Sequence, residues 1–123
     1  MAKKILIIED EVSLQNSIKD FLLMENFEVV VASDGETGAN LVKSEKPDLV
    51  LLDVILPKKD GFGVLEDIKA DEETKKIPVI LLTNLESAED VDKAFSFGVT
   101  AYLVKANYRL EEIVAKIKDI LKM

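Results

Sequence analysis

Residues that could do chemistry follow four short apolar runs of this chain. Glu9 and Asp10 come directly after the first run. Asp53, Thr83 and Lys105 each end one of the other three. Carboxylate oxygens are ligands that Mg²⁺ prefers, and a hydroxyl and an ammonium group can bind phosphoryl oxygens. If these side chains meet, they suit a divalent cation together with a phosphoryl group.

The apolar runs predict strands of one parallel sheet. Each run is short and unbroken, which is typical of strands buried on both faces. In an open α/β sheet, ligands bind beyond the carboxyl ends of the strands. The polar residues that end the runs should therefore lie together at one edge of the sheet. The runs cover residues 5–8, 49–52, 79–82 and 102–104.

Helical patterns alternate with these runs and with a fifth, valine-rich run at residues 28–32. This alternation predicts right-handed crossovers and an α/β fold, a three-layer αβα sandwich around a five-stranded parallel sheet. Residues 1–123 are predicted to form one domain. The helical positions expected to face the core are Leu14, Ile18, Phe21, Leu22, Ala39, Val42, Val64, Leu65, Ile68, Val91, Ala94, Phe95, Leu110, Ile113, Val114, Ile117, Ile120 and Leu121.

Several residues mark where the helices begin and end. Ser33 or Asp34 can cap the second helix, and Ser87 can cap the fourth. Gly98 stands where a helix C-terminal glycine is expected. Gly38 lies inside the second helix, where glycine costs up to ~1 kcal/mol relative to alanine.

Composition excludes several classes of function. The chain has neither cysteine nor histidine, which removes disulfides, thiol nucleophiles and the usual zinc ligands. A net charge of −8 disfavours direct contact with nucleic acid or anionic membranes. No signal peptide and no apolar segment long enough to span a membrane is found, so a cytoplasmic location is the expectation.

The three carboxylates of Glu9, Asp10 and Asp53 form the strongest signal. Two unit charges ~5 Å apart repel by ~3 kcal/mol at an effective dielectric constant of ~20, and bound Mg²⁺ would relieve this repulsion. Capping of the first helix by Glu9 or Asp10 is an alternative, but it does not explain Asp53.

Asp53 beside a metal ion could attack a phosphoryl donor and become an aspartyl phosphate. Such a transfer depends on positioning and charge neutralisation, so the absence of histidine is no obstacle. Lys105 and Thr83 would then bind phosphoryl oxygens. Taken singly, Asp53 would be a turn residue, Lys105 a solvated lysine and Thr83 an ordinary strand residue. The joint pattern favours the chemical interpretation.

Over its whole length, the chain resembles the receiver domains of bacterial two-component response regulators, particularly the single-domain, chemotaxis-type members. The resemblance rests on Glu9-Asp10 after the first strand, on Asp53 followed by Leu56-Pro57 and Asp60-Gly61, on Thr83, and on Tyr102 with Lys105.

This resemblance implies a role for each site residue. Asp53 would accept the phosphoryl group, and Mg²⁺ would be bound by Glu9, Asp10, Asp53 and the backbone carbonyl of Ile55. Thr83 and Lys105 would bind the phosphoryl oxygens. Tyr102 would be the switch aromatic that turns inward when Thr83 engages the phosphoryl group, although an aromatic at this position is more often simply half-buried.

The resemblance also implies partners and a flavodoxin-like strand order, 2-1-3-4-5. A sensor histidine kinase or a phosphotransfer protein would donate the phosphoryl group, and an unidentified output protein would bind the activated form. The domain would catalyse only its own phosphorylation and dephosphorylation, and it would not be an enzyme with a separate substrate.

Some positions depart from the family pattern. Ala106 replaces the usual proline after Lys105, which predicts a trans peptide bond and an altered loop. Asn84 replaces a small residue, so it would narrow the cleft or contact the phosphoryl group. Ile55 and Leu85 flank the expected path of the hydrolytic water, which predicts a long-lived phosphoryl state.

The dimer-forming relatives often carry acidic residues where Thr100 and Ala101 stand in this chain. Without those charges, a monomer or a weak dimer is expected. The face near Lys93, Phe97 and Tyr102 is a candidate partner surface, with burial of Phe97 in the core as the alternative.

Three other functions compete with this interpretation. A phosphatase with an aspartyl nucleophile commonly has a second aspartate two residues later, where this chain has Ile55. A flavin-binding protein would need a phosphate loop where residues 9–11 are acidic. A scaffold with a vestigial site would not react with a phosphodonor.

Overall fold

The computed structural model describes residues 2–123 as five parallel strands and five α-helices that alternate along the chain. The sheet has the order β2-β1-β3-β4-β5. The predicted αβα sandwich and its 2-1-3-4-5 order are therefore confirmed. The strands are β1 (Lys4–Ile8), β2 (Glu28–Ala32), β3 (Leu49–Leu52), β4 (Val79–Thr83) and β5 (Ala101–Val104). The helices are α1 (Val12–Met24), α2 (Gly35–Glu45), α3 (Gly61–Ala70), α4 (Ala88–Ser96) and α5 (Leu110–Leu121).

Two hydrophobic cores cover the two faces of the sheet. Side chains of a strand alternate between faces, so Leu6 and Ile8 enter one core while Ile5 and Ile7 enter the other. The first core lies against α2, α3 and α4, and the second lies against α1 and α5. Because β1, β3 and β4 are covered on both faces, their central residues must be apolar, as the unbroken runs indicated.

The strand register brings the carboxyl ends of the strands to one edge. Ile8 of β1 pairs with Leu52 of β3, and Leu52 pairs with Leu81 of β4. Thr83 pairs with Val104 of β5. The residues that follow these positions therefore meet at the same edge of the sheet.

The predicted helix caps are confirmed at two sites. The Asp34 carboxylate accepts a hydrogen bond from the Thr37 N–H at 2.7 Å, so Asp34, and not Ser33, caps α2. The Ser87 hydroxyl accepts from the Asp90 N–H at 3.1 Å and caps α4. Gly98, with φ of +87°, follows the end of α4 as expected.

The prediction that Phe95 faces the core is wrong. Its side chain is 51% exposed, whereas Ala94 is fully buried. The aromatic that packs inward is Phe97, whose ring lies edge-on to Phe62 at 6.2 Å between centroids. Phe97 caps the C-terminus of α4, three residues after Ala94 and on the same side, while Phe95 is turned away from that side.

No helix among residues 2–123 has both the length and the apolar composition needed to cross a membrane.

Gly38 shows why helix propensity alone misjudges this fold. A Cβ at Gly38 would lie 2.6–2.9 Å from three side-chain carbons of the fully buried Ile8. We expect Gly38→Ala to destabilise the protein by about 1–2 kcal/mol, because overpacking exceeds the gain in helix propensity. Urea denaturation measures the free energy of unfolding.

Gly63 of α3 is the matched control. Its added Cβ would lie 2.9 Å from Cγ of Lys59, a partly exposed side chain that can shift more easily than the fully buried Ile8. Gly63→Ala should therefore destabilise the protein less than Gly38→Ala does, because the gain in helix propensity offsets more of a smaller steric cost. A free energy of unfolding for Gly38→Ala equal to or above that of Gly63→Ala would contradict the packing argument.

Candidate functional site

A cleft of about 190 Å³ opens at the carboxyl edge of the sheet, where the sequence predicted the site. Glu9 follows β1, Asp53 follows β3, Thr83 ends β4 and Lys105 follows β5. We call this the acidic cleft, and its lining residues are Glu9, Asp10, Glu11, Asp53, Ile55, Thr83, Asn84, Leu85 and Lys105.

The Lys105 ammonium joins two buried carboxylates in this cleft. Its Nζ lies 2.8 Å from Oε1 of Glu9 and 2.9 Å from Oδ2 of Asp53. Glu9 is 3% exposed and Asp53 is 6% exposed, so neither carboxylate is well hydrated. Pairing with a cation and with backbone N–H groups offsets much of the cost of burying such charges.

The pKa values of Glu9 and Lys105 reflect their position in this cleft. Burial raises the pKa of Glu9 above its ordinary value and repulsion from Asp53 adds to the rise, although hydrogen bonds from Lys105 and the Glu11 N–H oppose it. Burial acts to lower the pKa of Lys105, but its hydrogen bonds to Glu9 and Asp53 outweigh that effect and raise the pKa. Lys105 therefore stays a cation at neutral pH.

Both oxygens of the Asp53 carboxylate accept hydrogen bonds. Its Oδ1 accepts a hydrogen bond from the Val54 N–H at 2.7 Å, while Oδ2 faces Lys105. Thr83, across the cleft, is buried with only 1% of its surface exposed. These contacts present the Asp53 oxygens to the cleft in a defined orientation.

The loop after Asp53 requires glycine at position 61. The Gly61 N–H donates to the Val54 carbonyl at 2.7 Å, and an added Cβ would lie 2.3 Å from the Asp53 carbonyl oxygen. The sequence pattern indicated only a loop followed by a helix at Asp60-Gly61. The close approach between α3 and the backbone of Asp53 is the physical reason for this glycine.

The three predicted metal-ligating carboxylates do come together. One carboxylate oxygen from each of Glu9, Asp10 and Asp53 lies within 4.8 Å of the others. The cluster could bind a metal, because oxygen donors at this spacing suit a hard divalent cation and three carboxylates exceed the one ammonium that faces them. Ile55 lines the same cleft, and ligation by its backbone carbonyl stays a prediction.

Tyr102 is linked to the cleft through the loop that follows β4. Its hydroxyl donates to the Leu85 carbonyl at 2.7 Å. Burial, followed by the charges of Asp90 and Asp53, raises the pKa of Tyr102, so the hydroxyl keeps its proton. The Leu85 N–H makes a longer contact, 3.5 Å, with the Thr83 hydroxyl. The switch role predicted for Tyr102 stays a prediction.

The positions that depart from the family pattern also lie at the cleft. Ile55 is 61% exposed, Leu85 is half-buried and Asn84 is exposed, and all three line the opening. No peptide bond in residues 2–123 is cis, so the bond between Lys105 and Ala106 is trans, as predicted. Residues Lys105–Asn107 form one turn of 3₁₀ helix after β5, and the predicted alteration of this loop relative to the family stays a prediction.

One buried polar residue next to the site was missed by the sequence analysis. Gln15 of α1 is 7% exposed, and its side-chain amide donates to the Glu9 carbonyl at 2.8 Å. The sequence carried a signal, since Gln15 lies three residues before Ile18 and seven before Leu22, on the apolar side of α1.

A second cavity, of about 390 Å³, lies between α1 and α5. Its walls are mainly apolar, from Leu14, Leu82, Leu110 and Ile113, and it shares Lys105 with the acidic cleft. It contains neither Asp53 nor the carboxylates that accompany it, so the chemistry expected from the sequence belongs to the acidic cleft.

The structure therefore combines an acidic cleft that contains one lysine with a sheet of the order 2-1-3-4-5. The family model described as the response regulator receiver domain matches residues 5–118. The chain therefore belongs to the receiver domain family of two-component response regulators, whose members are signalling switches.

Individual relatives agree with this assignment. The transcriptional regulatory protein CiaR of Streptococcus pneumoniae is 41% identical over 97% of this chain and 51% of its own length. A CheY-like receiver domain protein of Methanospirillum hungatei superposes with a TM-score of 0.91 at 30% identity, covering 99% of this chain and 95% of that chain.

The phosphorylated cyanobacterial phytochrome response regulator RcpA has a TM-score of 0.83 at 32% identity, covering 98% of this chain and 91% of that chain. The chain spans about half the length of the curated relatives it matches.

The crowding of carboxylates leads to a stability prediction at Asp10. Without a divalent cation, Asp10→Asn should raise the free energy of unfolding by ~1 kcal/mol, because it removes a like charge beside Glu9 and Asp53. With saturating Mg²⁺ the gain should shrink or reverse, because a ligand of the folded state is lost. Thermal unfolding in EDTA and in saturating Mg²⁺ measures the change in the free energy of unfolding under each condition.

Asp20→Asn makes the same chemical change at an exposed position of α1 outside the acidic cleft. Its effect on the free energy of unfolding should be the same in EDTA and in Mg²⁺. If the stability change caused by Asp10→Asn were also independent of Mg²⁺, Asp10 would not be a metal ligand.

Proposed function

We propose that this receiver domain is switched by Mg²⁺-dependent transfer of a phosphoryl group to Asp53. The observation that carries the proposal is the buried Asp53 carboxylate, which pairs with the Lys105 ammonium and has an oxygen within 4.8 Å of carboxylate oxygens of Glu9 and Asp10. This arrangement offers a nucleophilic oxygen, a fixed cation and a set of metal ligands in one cleft.

The donor would be a sensor histidine kinase or a phosphotransfer protein. An oxygen of Asp53 attacks phosphorus, the bond between phosphorus and the donor's imidazole nitrogen breaks, and the nitrogen keeps the electron pair. The products are an aspartyl phosphate and the free donor. Mg²⁺, held by Glu9, Asp10, Asp53 and the carbonyl of Ile55, would offset negative charge on the phosphoryl oxygens.

Lys105 and Thr83 would complete the binding of the phosphoryl group. Once Asp53 is converted to an acyl phosphate, its carboxyl group no longer carries a charge, and Lys105 can donate to a phosphoryl oxygen instead. The Thr83 hydroxyl lies in the same cleft and can donate to another oxygen. The phosphorylated form of a relative, RcpA, supports the assumption that this fold carries such a group.

Output would depend on the region around Thr83 and Tyr102. Reorientation of the Thr83 hydroxyl toward the phosphoryl group would release its contact with the Leu85 N–H and alter the loop that Tyr102 holds. The affinity of the surrounding surface for an output protein would change with it. Direct contact of this domain with nucleic acid is disfavoured by its net charge of −8.

The central test is chemical labelling with a small phosphodonor. Incubation with acetyl phosphate and Mg²⁺ should add the mass of one phosphoryl group, and peptide mapping should place it on Asp53. Asp53→Asn and removal of Mg²⁺ by EDTA should each abolish labelling. Asp60→Asn, at the N-cap of α3, is the matched control and should be labelled normally. Labelling elsewhere, or sustained turnover of a phosphate ester, would contradict the proposal.

The side chains at the mouth of the cleft lead to a kinetic prediction. Ile55 and Leu85 are bulky, apolar and line the cleft, and the resemblance to the family implies that they flank the route by which water would reach the aspartyl phosphate. We expect Ile55→Ser combined with Leu85→Ser to accelerate loss of the phosphoryl group severalfold after the donor is removed. Phe95→Ser, at an exposed aromatic outside the cleft, should leave the rate unchanged. An unchanged rate in the double variant would disprove this role.

A further inference from the structure

Gln15 is a buried polar side chain that the phosphorylation chemistry does not use directly. Its side-chain nitrogen Nε2 lies 2.8 Å from the Glu9 carbonyl oxygen, 3.2 Å from the Ala32 carbonyl oxygen and 3.3 Å from the Ser33 hydroxyl. A neutral amide with 7% exposure costs free energy to bury unless it is hydrogen-bonded. These contacts provide acceptors for the N–H groups of the amide, and they also tie together three parts of the chain.

The amide lies where β1 and β2 end. The Ala32 carbonyl already accepts a hydrogen bond from the Glu9 N–H at 3.0 Å, and Gln15 adds a second donor to the same oxygen. Glu9 is therefore held through both its N–H and its carbonyl. Because both backbone groups are fixed, the direction in which the Glu9 side chain leaves the strand is fixed as well.

The segment from Glu9 to Gln15 is closed by two further contacts. The Glu11 N–H donates to Oε2 of Glu9 at 3.0 Å, and the Gln15 N–H donates to the Glu11 carbonyl at 3.0 Å in the first turn of α1. Asp10 lies within this closed segment. The two acidic residues after β1 are thus carried by a loop whose two ends are joined through Gln15.

We propose that Gln15 is a positioning residue for the divalent-cation site. Its amide fixes the backbone that carries Glu9 and Asp10, so that their carboxylates stand ready beside Asp53 before the cation arrives. The inference rests on the proposed function, because it assumes that these carboxylates bind the cation. An uncharged donor suits this place, since it satisfies the buried carbonyls without neutralising the carboxylates that attract the cation.

The test replaces the amide with an apolar group of similar length. Gln15→Met keeps helix propensity and volume but removes both N–H donors. Free Mn²⁺ is measured by electron paramagnetic resonance as the protein is titrated, which reports affinity without any reaction. We expect about tenfold weaker binding, as is typical when a group that orients a metal ligand is lost. Gln15→Ala, which leaves room for water, should also weaken Mn²⁺ binding. This second variant keeps the proposal testable if Gln15→Met does not fold.

Thr74→Val is the control for a purely structural loss. Thr74 is 1% exposed, and its hydroxyl donates to the Ile68 carbonyl at 2.8 Å, outside the acidic cleft. The Thr74→Val variant also loses one hydrogen bond from a buried side chain to a carbonyl. Its affinity for Mn²⁺ should nevertheless equal that of the unsubstituted protein. Equal losses of affinity in Thr74→Val and the Gln15 variants would overturn the positioning role.

A kinetic measurement adds a second criterion. The rate of labelling by acetyl phosphate in Gln15→Met should fall at limiting Mg²⁺ and recover at saturating Mg²⁺, because Gln15 does not contact the reacting atoms. A rate that stays low at saturation would contradict the proposal.

Asp10→Asn separates failure of this inference from failure of the proposed function. If Asp10→Asn weakens Mn²⁺ binding while the Gln15 variants do not, only the role of Gln15 is wrong. If Asp10→Asn and Asp53→Asn both bind Mn²⁺ normally, the metal site itself is wrong and the inference falls with it.

Discussion

The ion pairs of Lys105 with Glu9 and Asp53 are the constraint on which the rest of the structure depends. Removing a carboxylate from water costs several kcal/mol even after the protein relaxes, and two carboxylates in this cleft are nearly inaccessible to solvent. One ammonium at 2.8 and 2.9 Å offsets part of this cost. With Asp10 included, three carboxylates against one ammonium leave two negative charges, which is the charge that a divalent cation would neutralise.

The sheet supplies the rigid frame that such a cleft needs. Glu9, Asp53 and Lys105 follow strands that are far apart in sequence, and only the parallel register brings them together. Two cores of buried side chains hold that register from both faces of the sheet. Because a one-residue shift would turn every strand side chain to the opposite face, the apolar pattern that stabilises the fold also fixes the positions of the charged groups.

The strands and the main site residues could be predicted because both leave a local pattern. An unbroken apolar run marks a doubly covered strand, and a charged residue at its end stands out against that run. The contacts of Gln15 and Gly61 could not be predicted in this way. The position of Gln15 indicated burial but not its partner at the end of β2, and only the packing of α3 brings Gly61 against the backbone of Asp53. Phe95 was misjudged for a related reason, because packing of Phe97 on Phe62 decides which side of α4 is covered.

Tyr102 and Thr83 contact the loop after β4 with different strength, and this difference indicates how a switch could work. Leu85 accepts a short hydrogen bond, 2.7 Å, from Tyr102 and makes only a long contact, 3.5 Å, with the Thr83 hydroxyl. Turning the Thr83 hydroxyl toward a ligand therefore costs little, whereas moving Tyr102 outward breaks a strong bond. The proposed switch would therefore act first on the weaker of these two contacts, the one between Thr83 and Leu85.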